Sequence, residues 1–150
     1  MFYILLVLLI LIAEWKIKNY IEANYDFKRQ EYSANKLIKI HKYHNPGAFL
    51  NILQHKKKLL HGISIAFTCI IAMIFLLTLC HKGNRVLKLG LALLLGGAFS
   101  NTYDRLSRNY VIDYVSFCTP WKKFNQIVFN ISDFCILIGT LLVVLKTENF

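Results

Sequence analysis

Four stretches of this chain stay apolar long enough to form helices in a bilayer, and polar stretches of unequal length separate them. They run over about residues 2–20, 59–80, 87–103 and 127–145. A span needs roughly 20 mostly apolar residues. The first stretch, MFYILLVLLILIA, has thirteen before Glu14. It reaches Tyr20 if Lys16 and Lys18 extend their ammonium groups to the interface, with Trp15 and Tyr20 as aromatic anchors. It lacks the basic start and small-residue cleavage site of a signal peptide, so it reads as an uncleaved span. Residues 21–58 are polar, basic and aromatic. Within them a β-leaning segment, residues 36–43, runs into the turn signal Asn45-Pro46-Gly47, which predicts a small sheet or hairpin against the membrane surface. The third stretch carries Gly90, Gly96 and Gly97, which permit close helix approach. The prediction is one domain over residues 1–150, an all-α membrane protein. It has four transmembrane helices and a small β-containing extramembrane segment between the first and second.

Composition agrees with that pattern. The chain is 56% hydrophobic and 17% charged, and no internal repeat is visible. Its formal charge of +10 would suggest nucleic acid in a soluble protein. Here the basic residues sit in loops between spans, so anionic lipid headgroups are the expected partner and nucleic acid is not. Three of the four cysteines, Cys69, Cys80 and Cys135, fall in or at the ends of spans, which favours packing thiols over disulfides. His41 and His44 lack further ligands at metal-site spacing and read as surface histidines.

The polar residues inside the spans change the picture most. Asn101, Asp104 and Arg105 lie at the end of the third span, and Asn130 and Asp133 near the start of the fourth. Consecutive spans are antiparallel, so these ends share one face of the bilayer, joined by a loop that carries Asp113. Glu14 lies inside the first span and must be paired or face a polar cavity. Ionisable groups within a span are costly and mark functional sites by default. Two carboxylates close together in a low dielectric cannot both ionise easily, the acid/base division that aspartic proteases apply to water. Three acids allow three pairs. With Arg105 as counter-charge to Asp104, the working pair would be Asp113 and Asp133, and the alternation of residues 111–115 could aim Asp113 inward.

Asn101-Thr-Tyr-Asp104-Arg105, Val111-Ile-Asp113-Tyr114 and Phe129-Asn130-Ile-Ser-Asp133 resemble the NxxDR, VxDF and FNxAD motifs of the lipoprotein signal peptidase (signal peptidase II) family, in order and spacing. His44-Asn45-Pro46-Gly47-Ala48-Phe49 resembles its NxGAAF element, and residues 14–18 its DQxxK element. The chain departs from these patterns with Glu14 for Asp, Trp15 for Gln, Phe49 for Ala, Ser100 for the Gly before Asn101, and Ser132 for Ala.

The resemblance implies a membrane aspartic endopeptidase that needs no metal or cofactor and cleaves prolipoproteins just before a lipid-modified cysteine. By motif position Asp113 and Asp133 would be the catalytic pair. Asn45, Asn101, Arg105 and Asn130 would position substrate or brace the acids, with Asp104 supporting and Glu14 in the first-span element. The implied setting is the bacterial cytoplasmic membrane, multi-pass, with the active site toward the outer face. Lipid-modified prolipoproteins and membrane lipids are the expected partners, and the expected state is a monomer. That orientation puts fourteen Lys and Arg outside against four inside, the reverse of the usual bias. The competing expectation is a non-catalytic four-helix membrane protein that binds lipoprotein precursors or couples to protons.

Overall fold

Each apolar stretch folds as a helix in the computed structural model, which describes residues 1–47, 56–121 and 123–147. The helices are α1 (Phe2–Asn24), α2 (Lys57–Leu79), α3 (Arg85–Arg108) and α4 (Ile131–Thr147). Three strands, β1 (Gln30–Tyr32), β2 (Ile38–Asn45) and β3 (Val111–Phe117), form an antiparallel sheet in the order β1-β2-β3. The sheet is therefore larger in origin than the sequence predicted. Its third strand comes from the segment between α3 and α4, not from the segment after α1. The loop positions Ala48 and Phe49 lie outside the described residues.

α3 is the centre of the fold and packs against the other three helices. Its glycines explain how closely. A Cβ added at Gly97 would fall 2.4 Å from the Ser132 carbonyl oxygen, and one at Gly139 of α4 would fall 2.6 Å from the Gly90 carbonyl oxygen. The α3 and α4 backbones meet with no room for a side chain. Gly97→Ala is expected to lower stability by about 1–3 kcal/mol through overpacking. It should also reduce activity, because Ser132 shares its helical turn with Asp133. Thermal unfolding in detergent, read beside activity, checks both.

The distribution of polarity is inverted relative to a soluble protein. The outward faces carry Leu5, Leu8 and Leu9 on α1, Ile70, Met73 and Leu77 on α2, and Leu137, Leu141 and Leu145 on α4, all exposed. The interior holds Glu14, Lys18, Asn101, Asp104 and Asn130 beside the apolar cluster of Val7, Ile71, Phe75, Leu91 and Leu95. On α1 the buried residues Val7, Ile10, Glu14, Lys18 and Ile21 recur every three or four positions and so form one stripe. α2 and α3 are long and apolar enough to cross a membrane.

Two local features bring β3 and the end of β2 to the helix ends. Asn109 takes the left-handed conformation (φ 65°) and its N–H donates to the Arg105 carbonyl, ending α3 and turning the chain into β3. The pairing of β2 with β3 then shifts register between Ile40 and Tyr43, so that Tyr43 stands opposite Asp113 and Asn45 opposite Val111. Such a bulge re-aims the side chains beyond it, and here those include Asn45.

α4 begins later than the apolar run suggests. Phe129 is extended and pairs with Val115: its N–H donates to the Val115 carbonyl (2.7 Å), and its carbonyl accepts from Tyr114 (2.9 Å) and Val115 (2.8 Å). This clip fixes the entry of α4 beside Asp113.

Candidate active site

The first turn of α4 is built by a reciprocal cap. The Asn130 side-chain oxygen accepts the Asp133 N–H (3.0 Å), and the Asp133 carboxylate accepts the Asn130 N–H (3.0 Å). This is the capping-box arrangement with Asn and Asp in the two roles. It leaves the Asn130 amide nitrogen free to reach outward, where it donates to Asp113 (2.6 Å) and to the Asn101 oxygen (3.2 Å). One fully buried asparagine thus contacts both acids.

Two further amides complete the frame. Asn45, from the far end of β2, donates to the other oxygen of Asp113 (2.9 Å), and Asn101 of α3 donates to Asp133 (2.8 Å). Asp113 and Asp133 open onto one cleft of about 660 Å³. Its polar floor includes Asn45, Asn101 and Arg105, and its apolar wall Ile127, Val128, Phe129, Phe134, Ile136 and Leu137. Phe129 and Phe134 pack face to edge with Phe117 in an aromatic cluster that continues the wall.

Burial, and after it the neighbouring Asp133 charge, pushes Asp113 up to about 7, against the hydrogen bonds from Asn45 and Asn130 that favour ionisation. Asp113 therefore holds its proton below about pH 7. Asp133 accepts a backbone and an amide N–H at the N-terminus of α4, where the helix dipole favours a negative charge.

Behind the amides lies a charge cluster centred on Lys18. Its ammonium touches Ser100 Oγ (3.0 Å), Asn101 Oδ1 (3.0 Å), Asp104 (3.0 Å) and Glu14 (3.4 Å), with 1% of its side chain exposed. Arg108 adds a contact to Asp104 at 3.3 Å. Because Lys18 holds the Asn101 oxygen, the Asn101 nitrogen must face Asp133.

The structure brings Asn45, Asn101, Asp113, Asp133 and Arg105 to the cleft, buries Asn130 against both acids, and sets Asp104 and Glu14 behind them. Two expectations are corrected. Lys18 does not extend to the interface, because it lies on the buried stripe of α1 and finds four oxygen partners there. Among the described residues, Asp104 pairs with Lys18 and Arg108, and Arg105 is not its counter-charge. Consecutive residues on a helix point about 100° apart, whereas residues four apart share a face. Arg105 turns into the cleft instead, with long contacts to the Asn101 and Gly47 carbonyls (3.5 and 3.4 Å) and a buried Nε lacking a partner among the described residues.

The sequence matches the family model for signal peptidase (SPase) II over residues 6–148. The chain belongs to the signal peptidase II family. It is 35% identical over 141 residues to a lipoprotein signal peptidase of Lactobacillus johnsonii and 34% identical to one of Lactobacillus gasseri. Each match covers 94% of this chain and 88% of the relative. A lipoprotein signal peptidase of Clostridium tetani is 34% identical over 67% of the chain and 63% of its own length. Among solved structures, a bacterial membrane enzyme determined by the in meso method at 2.3 Å superposes with a TM-score of 0.83. It is 22% identical, over 98% of this chain and 87% of the other. A second such structure, at 1.9 Å, gives a TM-score of 0.78 at 22% identity, over 97% and 91%. These two show a shared fold.

Within this signal peptidase II chain, three supporting residues escaped the sequence reading: Lys18, Tyr114 and Ser132. The i, i+4 spacing of Glu14 and Lys18 was the available signal for the first, since a carboxylate four residues before an ammonium shares its helix face. Asn130-x-x-Asp133 ahead of an apolar run is likewise a start signal for a helix, and it places α4 correctly.

Proposed function

We propose that this protein is a membrane aspartic endopeptidase that removes signal peptides from prolipoproteins by cutting before the diacylglyceryl-modified cysteine, with Asp113 and Asp133 as the catalytic pair. The observation that carries this reading is the buried Asn130, which bonds both of the carboxylates that line a cleft with a polar floor and an apolar wall. Asp133, ionised, takes a proton from water as the water oxygen attacks the scissile carbonyl carbon. Asp113 gives its proton to the carbonyl oxygen, forming a neutral gem-diol. Collapse of the diol returns a proton to Asp113, and the proton on Asp133 passes to the leaving amine. One negative charge on the pair is balanced by Arg105, whose guanidinium also offers N–H donors to substrate carbonyls. The apolar wall suits the acyl chains and the apolar signal segment.

The four helices span the bacterial cytoplasmic membrane, with the sheet and the cleft at its outer face. The exposed apolar faces of α1, α2 and α4 support that reading. Three of the fourteen outer-side cations, Lys18, Arg105 and Arg108, lie in the charge cluster or the cleft, so the unfavourable charge count overstates the free positive charge on that side.

The test is cleavage of a diacylglyceryl-modified prolipoprotein by the purified protein in lipid, with products identified by mass spectrometry. The expected result is a new amino terminus at the modified cysteine. A precursor that is bound but left intact would favour the non-catalytic alternative instead.

The pH dependence has a defined sign. Asp113 must be protonated to serve as the acid, so cleavage is expected to fall as pH rises through about 7. The same raised value makes this group's contribution to stability decline with pH. Between 3.8 and about 7 the folded chain holds a proton that the unfolded chain has released, and above about 7 the effect is constant. Rate and unfolding measured across that range check both, and an activity still rising beyond pH 8 would count against Asp113 as the acid.

A further inference from the structure

Every peptide N–H in the first turn of α4 has an identified acceptor, and two of the acceptors come from outside the helix. The Asp133 N–H goes to Asn130 within the cap. The Ser132 N–H goes to Glu14 Oε2 (3.2 Å), which also accepts the Ser132 hydroxyl (2.7 Å). The Ile131 N–H goes to the Tyr114 hydroxyl (3.3 Å), which itself donates to Glu14 Oε1 (2.5 Å). Burial and the Glu14 charge hold the Tyr114 hydroxyl protonated, so it remains the donor to Glu14. These groups sit in the interior, with Glu14 and Ser132 fully buried and Tyr114 nearly so. Helix N-termini expose N–H groups that must be satisfied, and a carboxylate there is favoured by both hydrogen bonding and the dipole.

We propose that Glu14 is a positioning residue for Asp133, acting through Ser132 and Tyr114 as a cap supplied to α4 by α1. The inference rests on the catalytic-pair reading above. Glu14 does not line the cleft, so it acts only by placing other groups. It reaches Asp133 by two routes. One runs through the α4 backbone, whose Ser132 and Asp133 are consecutive. The other runs through Lys18, which contacts Glu14 and holds the Asn101 amide that donates to Asp133.

The hydroxyls of Tyr114 and Ser132 and the length of Glu14 form one matched set. Shortening Glu14 takes the acceptor from two buried hydroxyls, and removing the hydroxyls takes the Tyr114 donor from Glu14 Oε1 and leaves Oε2 with the Ser132 N–H and Lys18. Changing all three leaves no hydroxyl without an acceptor, so the losses are not expected to add.

The experiment compares Glu14→Asp, the double variant Tyr114→Phe/Ser132→Ala, and the triple variant combining all three substitutions. Each is the full chain in lipid, assayed on a diacylglyceryl-modified prolipoprotein beside thermal unfolding. Glu14→Asp and the double variant are each expected to lower kcat about tenfold, as for roughly 1–2 kcal/mol of misplacement, with KM within about twofold. The triple variant should recover to within about threefold of the unaltered protein, on the non-additivity that groups in contact show. Losses that multiply in the triple variant overturn the proposal. So do losses confined to KM, or losses that vanish once rates are divided by the folded fraction. If Glu14→Asp does not fold, Tyr114→Phe alone gives the reading, and an unchanged kcat in that variant overturns the proposal equally. Asp133→Asn, run alongside, separates the two readings. Cleavage surviving in Asp133→Asn removes the catalytic pair itself, whereas its loss there with unchanged kcat in the Glu14 series removes only the positioning role.

Discussion

Asp113→Asn and Asp133→Asn are each expected to lower prolipoprotein cleavage by on the order of ten-thousand-fold, with the precursor still bound. Asparagine matches aspartate in shape, so the surrounding amides lose little packing. What it removes is the proton economy: an amide at 113 has no acid proton to give, and an amide at 133 cannot take one from water. The effect belongs to kcat, because neither substitution removes the apolar wall that holds the substrate. Single-turnover cleavage of the two variants, beside precursor binding and thermal unfolding, separates these quantities. Retention of more than about a tenth of the activity in either variant would sink the assignment, because a lost acid or base in the reaction itself costs orders of magnitude more. Asp104→Asn is the informative comparison. Asp104 accepts the Ile112 N–H (3.3 Å) and pairs with Lys18 and Arg108, and it lies outside the cleft. Its loss should show first in stability.

Lys18→Met should destabilise the protein by about 3–5 kcal/mol, the range seen when one partner of a buried ion pair is removed. Methionine fills the space of the lysine stem and leaves Glu14 and Asp104 without their shared cation, both almost wholly shielded from water. The Asn101 oxygen would also lose its strongest donor and with it the constraint that turns the amide toward Asp133. Lys18→Arg is not expected to restore the protein, since a planar fork cannot occupy a point surrounded by four acceptors on different sides. Combining Lys18→Met with Asp104→Asn should return part of the stability, because the second change removes one of the stranded charges. Unfolding in detergent at fixed lipid content measures the series. An Lys18→Met variant as stable as the unaltered protein would show that the cluster holds little energy.

Much of the architecture was legible because hydrophobic run length is a direct imprint of the bilayer. The runs at 59–80 and 87–103 became α2 and α3 with ends moved by only a few residues, except where α3 continues through Asn101, Asp104 and Arg105 to Arg108. The late start of α4 was legible only in the Asn130-x-x-Asp133 start signal, which the apolar run before it masked. Ile127, Val128 and Phe129 are apolar enough to be helical, but the backbone of Phe129 is taken by β3, a contact that no local pattern encodes. The sheet shows the same limit. Residues 36–43 looked extended, yet nothing local indicated that their partner strand lies about 70 residues away. Motif position named Asn45, Asn101, Arg105, Asp113 and Asp133, which the fold brings to one cleft, while single-residue reasoning misjudged Lys18 and Arg105, whose surroundings depend on which face of which helix meets α3. Glu14, Tyr114 and Ser132 look unrelated along the chain. In space they touch.

The spacing of the interior charges also bears on how such a chain enters a membrane during synthesis. Glu14 and Lys18 are four residues apart on α1, and Asp104 and Arg108 are four apart on α3. Each helix therefore carries a counter-ion for its own buried carboxylate before the other has left the ribosome. In the four-span arrangement proposed above, α1 waits in lipid with its Glu14 carboxylate and Lys18 ammonium folded onto each other through the synthesis of everything up to α3. The arrival of α3 then joins the two pairs into one cluster through Lys18 and Asp104, and the Asn101 amide that donates to Asp133 is set only at that moment.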